Sequence, residues 1–193
     1  MQKRRFITAA LGAAALPAIA QGSAAPNLRG PALLTITGSI GKTNRGAFDP
    51  VLDQMMGKHK LSFEKAYQFD YPSLASMKAA SIQPTLEYDK KPHKLSGPLL
   101  ADVLAQVGVT GDAGKIAMRA VDGYAPAISL ADLRKYRFMV ATHLDGKPMP
   151  LGGLGPLWAV YDADRFPDMA AKPVDQRFAL CPWGLYHIDV QPA

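Results

Sequence analysis

The chain has 193 residues, 22 Lys and Arg against 16 Asp and Glu, an apolar share of 48% and a single cysteine. One cysteine forbids an internal disulfide, so packing alone must hold the fold. The net charge of +6 carries no dense Lys/Arg run, since Lys90-Lys91 and Arg134-Lys135 are isolated pairs, and a nucleic-acid partner is not expected.

Residues 1–20 read as a secretory signal peptide. Lys3-Arg4-Arg5 precedes an apolar run from Phe6 that ends in Ala18-Ile19-Ala20, the charged, apolar and small-residue layout of an export signal. The run is too short to span a bilayer, and no transmembrane segment is expected in the mature chain. Lys3-Arg4-Arg5-Phe6-Ile7 also looks like a relaxed twin-arginine signal, which places the protein in a bacterial periplasm. Removing Lys3, Arg4 and Arg5 takes the basic count from 22 to 19 against 16 acids and the net charge from +6 to +3. The remaining roughly 170 residues suffice for one core and not for two ordinary domains. Residues 21–32, small and Pro/Gly-punctuated, read as a disordered linker, and 33–193 as the domain.

Order is expected to begin with a strand at 33–37 stopped by Gly38. Residues 51–56 and 74–77 read as helical turns, the second entered through Pro72. Residues 80–86 read as a strand that Pro84 confines to an edge or a bulge. Pro98 then opens a helix in which Leu99, Leu100, Val103, Leu104 and Val107 form one apolar stripe, and Gly108 supplies a left-handed stop. Residues 115–121 and 124–128 read as strands joined by an Asp122-Gly123 turn. Ser129 caps a brief helix with Asp132 three residues on. A strand over 138–144, a tight turn at Asp145-Gly146 and a return over 147–149 follow. Residues 158–161 and 185–190 close the list; the second alternates poorly, with His187 and Asp189 among apolar neighbours. Many strands, short helices and no βαβ alternation predict a mixed α+β domain.

Several chemistries have no foothold. Gly152-Gly153-Leu154-Gly155 lacks the strand-to-helix setting and the lysine of a phosphate loop. There is no Gly-x-Ser-x-Gly elbow and no Cys-x-x-Cys pair. His59, His93, His143 and His187 are scattered without metal-ligand spacing, so no metal ligand is assigned. Cys181, between Leu180 and Pro182 with no flanking cations, is expected to be a buried structural thiol.

Three phrases occur in a fixed order: Leu95-Ser96-Gly97-Pro98 with the helix behind it, Asp122-Gly123-Tyr124 ahead of Ile128-Ser129-Leu130, and Asp145-Gly146-Lys147-Pro148 with Gly155-Pro156-Leu157 behind it. Together they resemble the molybdopterin-binding domain of the sulfite oxidase family. The resemblance implies that family's fold of mixed β-sheets with short helices, a molybdopterin cofactor and two-electron oxygen-atom chemistry on a small or anionic substrate, with a redox partner protein. It places Tyr124 in the substrate pocket as the catalytic residue and Thr85 near the family's ligand position; Arg119 and His143 are the basic residues expected to line the same cavity and receive the anionic pterin, so that Thr85, Arg119 and His143 are the cofactor-binding candidates. The family's cysteine ligand falls near 81–87, where this chain has Gln83, Pro84 and Thr85, and its closing Lys-Trp phrase is Pro182-Trp183 here. Two classes follow: an exported molybdopterin-dependent oxidoreductase, or a non-catalytic periplasmic binding module that kept the fold and lost the metal ligand.

Overall fold

The computed structural model describes residues 28–193, so the signal peptide and most of the linker lie outside the described residues. The last linker residues are tied down: the Arg29 and Gly30 amides donate to Asp70 Oδ2 at 2.6 and 3.0 Å.

In chain order the elements begin with β1 (Ala32–Gly38), α1 (Gln54–Lys58), β2 (Tyr67–Asp70), α2 (Tyr71–Ala75), β3 (Ala79–Ile82) and β4 (Leu95–Pro98). There follow α3 (Leu100–Gln106), β5 (Lys115–Ala120), β6 (Ala127–Ser129), α4 (Leu130–Lys135), β7 (Met139–Ala141), β8 (His143–Leu144) and β9 (Lys147–Pro148). The last are β10 (Trp158–Val160), α5 (Pro167–Ala170) and β11 (Leu185–Gln191). Among the described residues they form a five-stranded sheet β2-β1-β11-β5-β6, a four-stranded sheet β3-β4-β8-β9 and the pair β10-β7. The expected mixed α+β fold, several sheets with short helices, is the one observed.

Some boundaries move, each for a local reason. Pro98 ends β4 instead of opening the helix; Leu99 takes the cap position and bridges Met139, and the Leu100 amide donates to the Phe138 carbonyl at 2.8 Å. The β3 strand stops at Ile82, before Pro84 removes a donor, and lies at a sheet edge as a proline-bounded strand must. The expected strand over 138–144 splits between β7 and β8, which belong to different sheets, and the strand over 124–128 starts only at Ala127. The β2 strand, not anticipated from the sequence, pairs antiparallel to β1 and ends at Asp70. There Asp70 caps α2 by accepting from the Ser73 amide at 2.8 Å. The Ser73 hydroxyl and these amide donors hold the Asp70 carboxylate down to about 2.

The α3 helix is as the stripe predicts, with Leu100, Val103 and Leu104 fully buried. It ends in a Schellman motif: the Val109 amide donates to Leu104 O and the Gly108 amide to Ala105 O, with Gly108 at φ 81°. Gly97 is required by a close approach, because a Cβ there would stand 2.0 Å from the Val140 carbonyl oxygen. The core runs continuously under all three sheets, and the Phe138 ring stacks on Tyr161 at 4.8 Å.

The five-stranded sheet has two unlike faces. Ile36, Ile188 and Met118 form one cross-strand row that joins the core. Thr35, His187 and Arg119 form the neighbouring row on the other face, with Thr37 and Asp189 in the next. His187 is 2% exposed, and its Nε2 lies 2.9 Å from the Thr37 hydroxyl. Burial pushes its imidazole down to about 4.

Two outcomes are expected. Leu104→Ala should cost about 2–5 kcal/mol in chemical denaturation, because its side chain is fully buried. His187 stays neutral in the folded chain, whereas the unfolded chain takes up its proton as pH falls through the ordinary histidine range near 6.5. Stability should therefore drop between about pH 6.5 and pH 4, by roughly 3 kcal/mol in all, and level off below as far as this residue is concerned. Denaturant midpoints across that range in wild type and His187→Gln check it; the variant should lose that part of the slope.

Candidate functional site

Tyr124 is placed by the turn before it. Gly123 takes φ 95°, its amide donates to Ala120 O at 3.0 Å, and Asp122 Oδ1 accepts from the Tyr124 amide at 2.9 Å. The Tyr124 hydroxyl donates to the Ala179 carbonyl, and the ring lines a cavity of about 200 Å³. Tyr88 and Trp183 line it too, and the three rings are 56%, 50% and 38% exposed for Tyr88, Tyr124 and Trp183. The remaining polar wall is acidic: Glu87, Asp122 and Asp175. None of these three carboxylates forms an ion pair among the described residues.

Two loops bring these groups together. In one, Thr85 bridges Pro92, the Leu86 amide donates to Lys91 O at 2.9 Å, and Lys90 turns the chain at φ 59°, so Glu87 and Tyr88 sit at the loop tip. The other runs from β10 to β11 and is gathered by Arg177. Its Nη1 meets Asp164 Oδ1 at 2.7 Å, its Nε donates to Lys172 O at 2.8 Å and its Nη2 to Ala170 O at 2.6 Å. The Tyr161 hydroxyl donates to the Arg177 carbonyl at 2.7 Å, and Trp158 Nε1 to the Cys181 carbonyl at 2.9 Å. The segment so held presents Asp175 and Trp183 to Tyr124.

The other residues singled out in the sequence lie elsewhere. Thr85 is outside the Tyr124 cavity, its amide donating to Asp164 Oδ2 at 2.7 Å. Arg119 is on the polar face of the five-stranded sheet, with Nη1 on the Gly123 carbonyl at 3.1 Å and a buried Nε that has no partner. His143 is on β8, between the Thr142 hydroxyl at 2.9 Å and the Tyr71 hydroxyl at 3.3 Å, and lines a separate cavity of about 250 Å³ with Ser96 and Gly97. The expectation that Arg119 and His143 line a basic cavity with Tyr124 is corrected. The alternation of β5 turns Arg119 away from Ala120, which lines the Tyr124 cavity, and β8 belongs to another sheet. Glu87, Tyr88 and Asp175 were missed because nothing local distinguishes them from solvated loop residues; only the fold brings them to Tyr124.

The residues at this cavity do not fit a molybdopterin. Its phosphate calls for cations, and the wall offers three carboxylates. Molybdenum favours a soft thiolate, but Thr85, near the family's ligand position, carries a hydroxyl and lies outside the cavity. Cys181, 4% exposed, has its thiol pushed up by burial and so stays protonated. Tyr88, pushed up to about 12 by burial and by Glu87, is a neutral phenol at ordinary pH. The arrangement can hold a cation between aromatic faces and carboxylates. Among the described residues, no three His, Cys, Asp or Glu side chains are grouped to hold a metal ion.

The chain matches no protein-family model and no curated protein. Among solved structures it is similar to the crystal structure of the sulfane dehydrogenase SoxCD from Paracoccus pantotrophus, with a TM-score of 0.55 and 11% sequence identity over 82% of this chain. It spans only 37% of that chain. At this identity the likeness is one of fold alone, a mixed α+β arrangement of several sheets with short helices.

Proposed function

We propose that this chain is an exported, non-catalytic binding module that keeps a sulfite oxidase-type fold and takes a small organic cation in the cavity of Tyr88, Tyr124 and Trp183. The observation that carries the reading is the charge of the wall. Glu87, Asp122 and Asp175 stand without ion pairs beside three half-exposed rings, a combination that attracts an ammonium group through both its charge and its contact with the ring faces. The same wall repels the anionic pterin that the family resemblance implies. Export to the periplasm rests on the layout of residues 1–20 alone.

The second reading, a molybdopterin-dependent oxidoreductase doing oxygen-atom chemistry on a small substrate, is favoured by the fold shared with a dehydrogenase and by Tyr124 in a cavity. It needs a metal ligand and a phosphate site that the Tyr124 cavity does not supply.

Tryptophan fluorescence separates the two. The chain has two tryptophans, and Trp158 is buried while Trp183 opens on the cavity. Tetramethylammonium or choline should change the emission saturably. Tyr124→Ala should weaken that binding about five-fold, the worth of one partly desolvated cation–aromatic contact of about 1 kcal/mol. No saturable change removes the cation reading, and molybdenum in stoichiometric amount in protein purified from its native periplasm establishes the oxidoreductase instead.

A further inference from the structure

A third cavity, of about 180 Å³, lies between β3, the end of α4 and the turn after β10, and shares no lining residue with the Tyr124 cavity. Asp162 lines it. This residue is 9% exposed, and its Oδ1 is buried with no hydrogen-bond partner. An unpaired buried carboxylate oxygen is costly, so something must offset it when the site is in use. Two guanidinium groups, Arg137 and Arg165, line the same space, and neither forms an ion pair among the described residues. Asp112, Asp164 and Asp168 are already engaged with Arg134, Arg177 and Lys135. The floor is apolar, with Ile82, Leu99 and Phe166.

Arg137 sits where its side chain is not favoured by the backbone. The α4 helix ends in the same motif as α3: the Phe138 amide donates to Leu133 O and the Arg137 amide to Arg134 O. In α3 the left-handed position is glycine; in α4 it is Arg137, at φ 54°. Lys60, Lys90 and Asp145 take the same conformation, so it marks nothing alone; at Arg137 it stands beside a cavity that the side chain lines.

We infer that this cavity binds a small monocarboxylate with a short apolar tail. The carboxylate lies between the two arginine forks, the tail on Ile82, Leu99 and Phe166, and Asp162 in its protonated form donates its O–H to a ligand oxygen. The charged groups that face Asp162 are Arg165 and Asp164 from its own turn and Arg137 from the end of α4. Burial, the largest influence, and Asp164 push the Asp162 carboxyl up, against the opposing pull of the Gln83 amide and Arg165. Protonation turns a repelling charge into a donor, so affinity rises as pH falls. This inference does not rest on the cation reading of the Tyr124 cavity.

Isothermal titration of the mature protein with butyrate, benzoate and acetate at pH 5 and pH 8 tests it. Butyrate and benzoate should bind more tightly than acetate and more tightly at pH 5. Arg137→Gln and Arg165→Gln, both exposed at the rim, should each weaken binding about ten-fold, the worth of one charge-assisted contact of about 1.4 kcal/mol. Asp162→Asn, nearly isosteric and still a donor, should bind butyrate with little dependence on pH, and Tyr124→Ala should bind it as wild type does. Absence of binding at millimolar butyrate, equal affinity for acetate, indifference to both arginine variants, or an unchanged pH dependence in Asp162→Asn overturns the proposal.

Discussion

The fold hangs on the ladder that sets β11 between β1 and β5. Thr35 to Gly38 pair in parallel with His187 to Val190, and Lys115 to Ala120 pair antiparallel on the other side. Without that strand the sheet falls into two hairpin-like halves, β2-β1 and β5-β6, neither wide enough to keep a core dry. The join spans some 150 residues of sequence, as in the Thr37 to His187 contact, and closures of that length are slow. The cooperative unit is therefore the whole described domain, and damage to either end of the chain is felt in the middle.

A second constraint sets the sites. Arg177 ties the turn at Asp164 to the carbonyls of Lys172 and Ala170, and Tyr161 holds Arg177 from the core side. One side of the segment so fixed carries Asp162 and Arg165 to one cavity, and the other carries Asp175 and Trp183 to a different one. The two cavities have opposite character: the first is rimmed by arginine, the second walled by carboxylate. Three bonds from one guanidinium thus hold the segment that supplies residues to both cavities.

The sequence was readable where a signal is local. The stripe from Leu100 to Val107 and Gly108 behind it describe α3 because helical spacing and a left-handed stop are properties of neighbouring residues. The cap Ser129, whose hydroxyl accepts from the Asp132 amide at 3.0 Å, was readable for the same reason. The β2 strand was not, since four residues running directly into a capped helix leave no alternation to detect. Nor was β4, because Gly97-Pro98 looks like an entry to the helix until the approach of Val140 shows why glycine stands there. The β11 strand read poorly since His187 breaks an apolar pattern, and the partner that satisfies it, Thr37, is at the far end of the chain. The same limit applies to the site. Tyr124 was marked by the Asp122-Gly123-Tyr124 phrase of the family resemblance, but the charge of its surroundings comes from loops around residues 87 and 175, and no pattern near Tyr124 encodes their sign.

The left-handed end of α4 sets stability and recognition against each other at one position. Glycine there would relax the backbone, as Gly108 does in α3, at the expense of the guanidinium. A population of variants selected for heat resistance alone would drift toward glycine at residue 137, and one selected in the presence of a ligand for the neighbouring cavity would hold arginine. Which residue survives under each regime is a record of what the position is for, written without reference to any assay of the ligand itself.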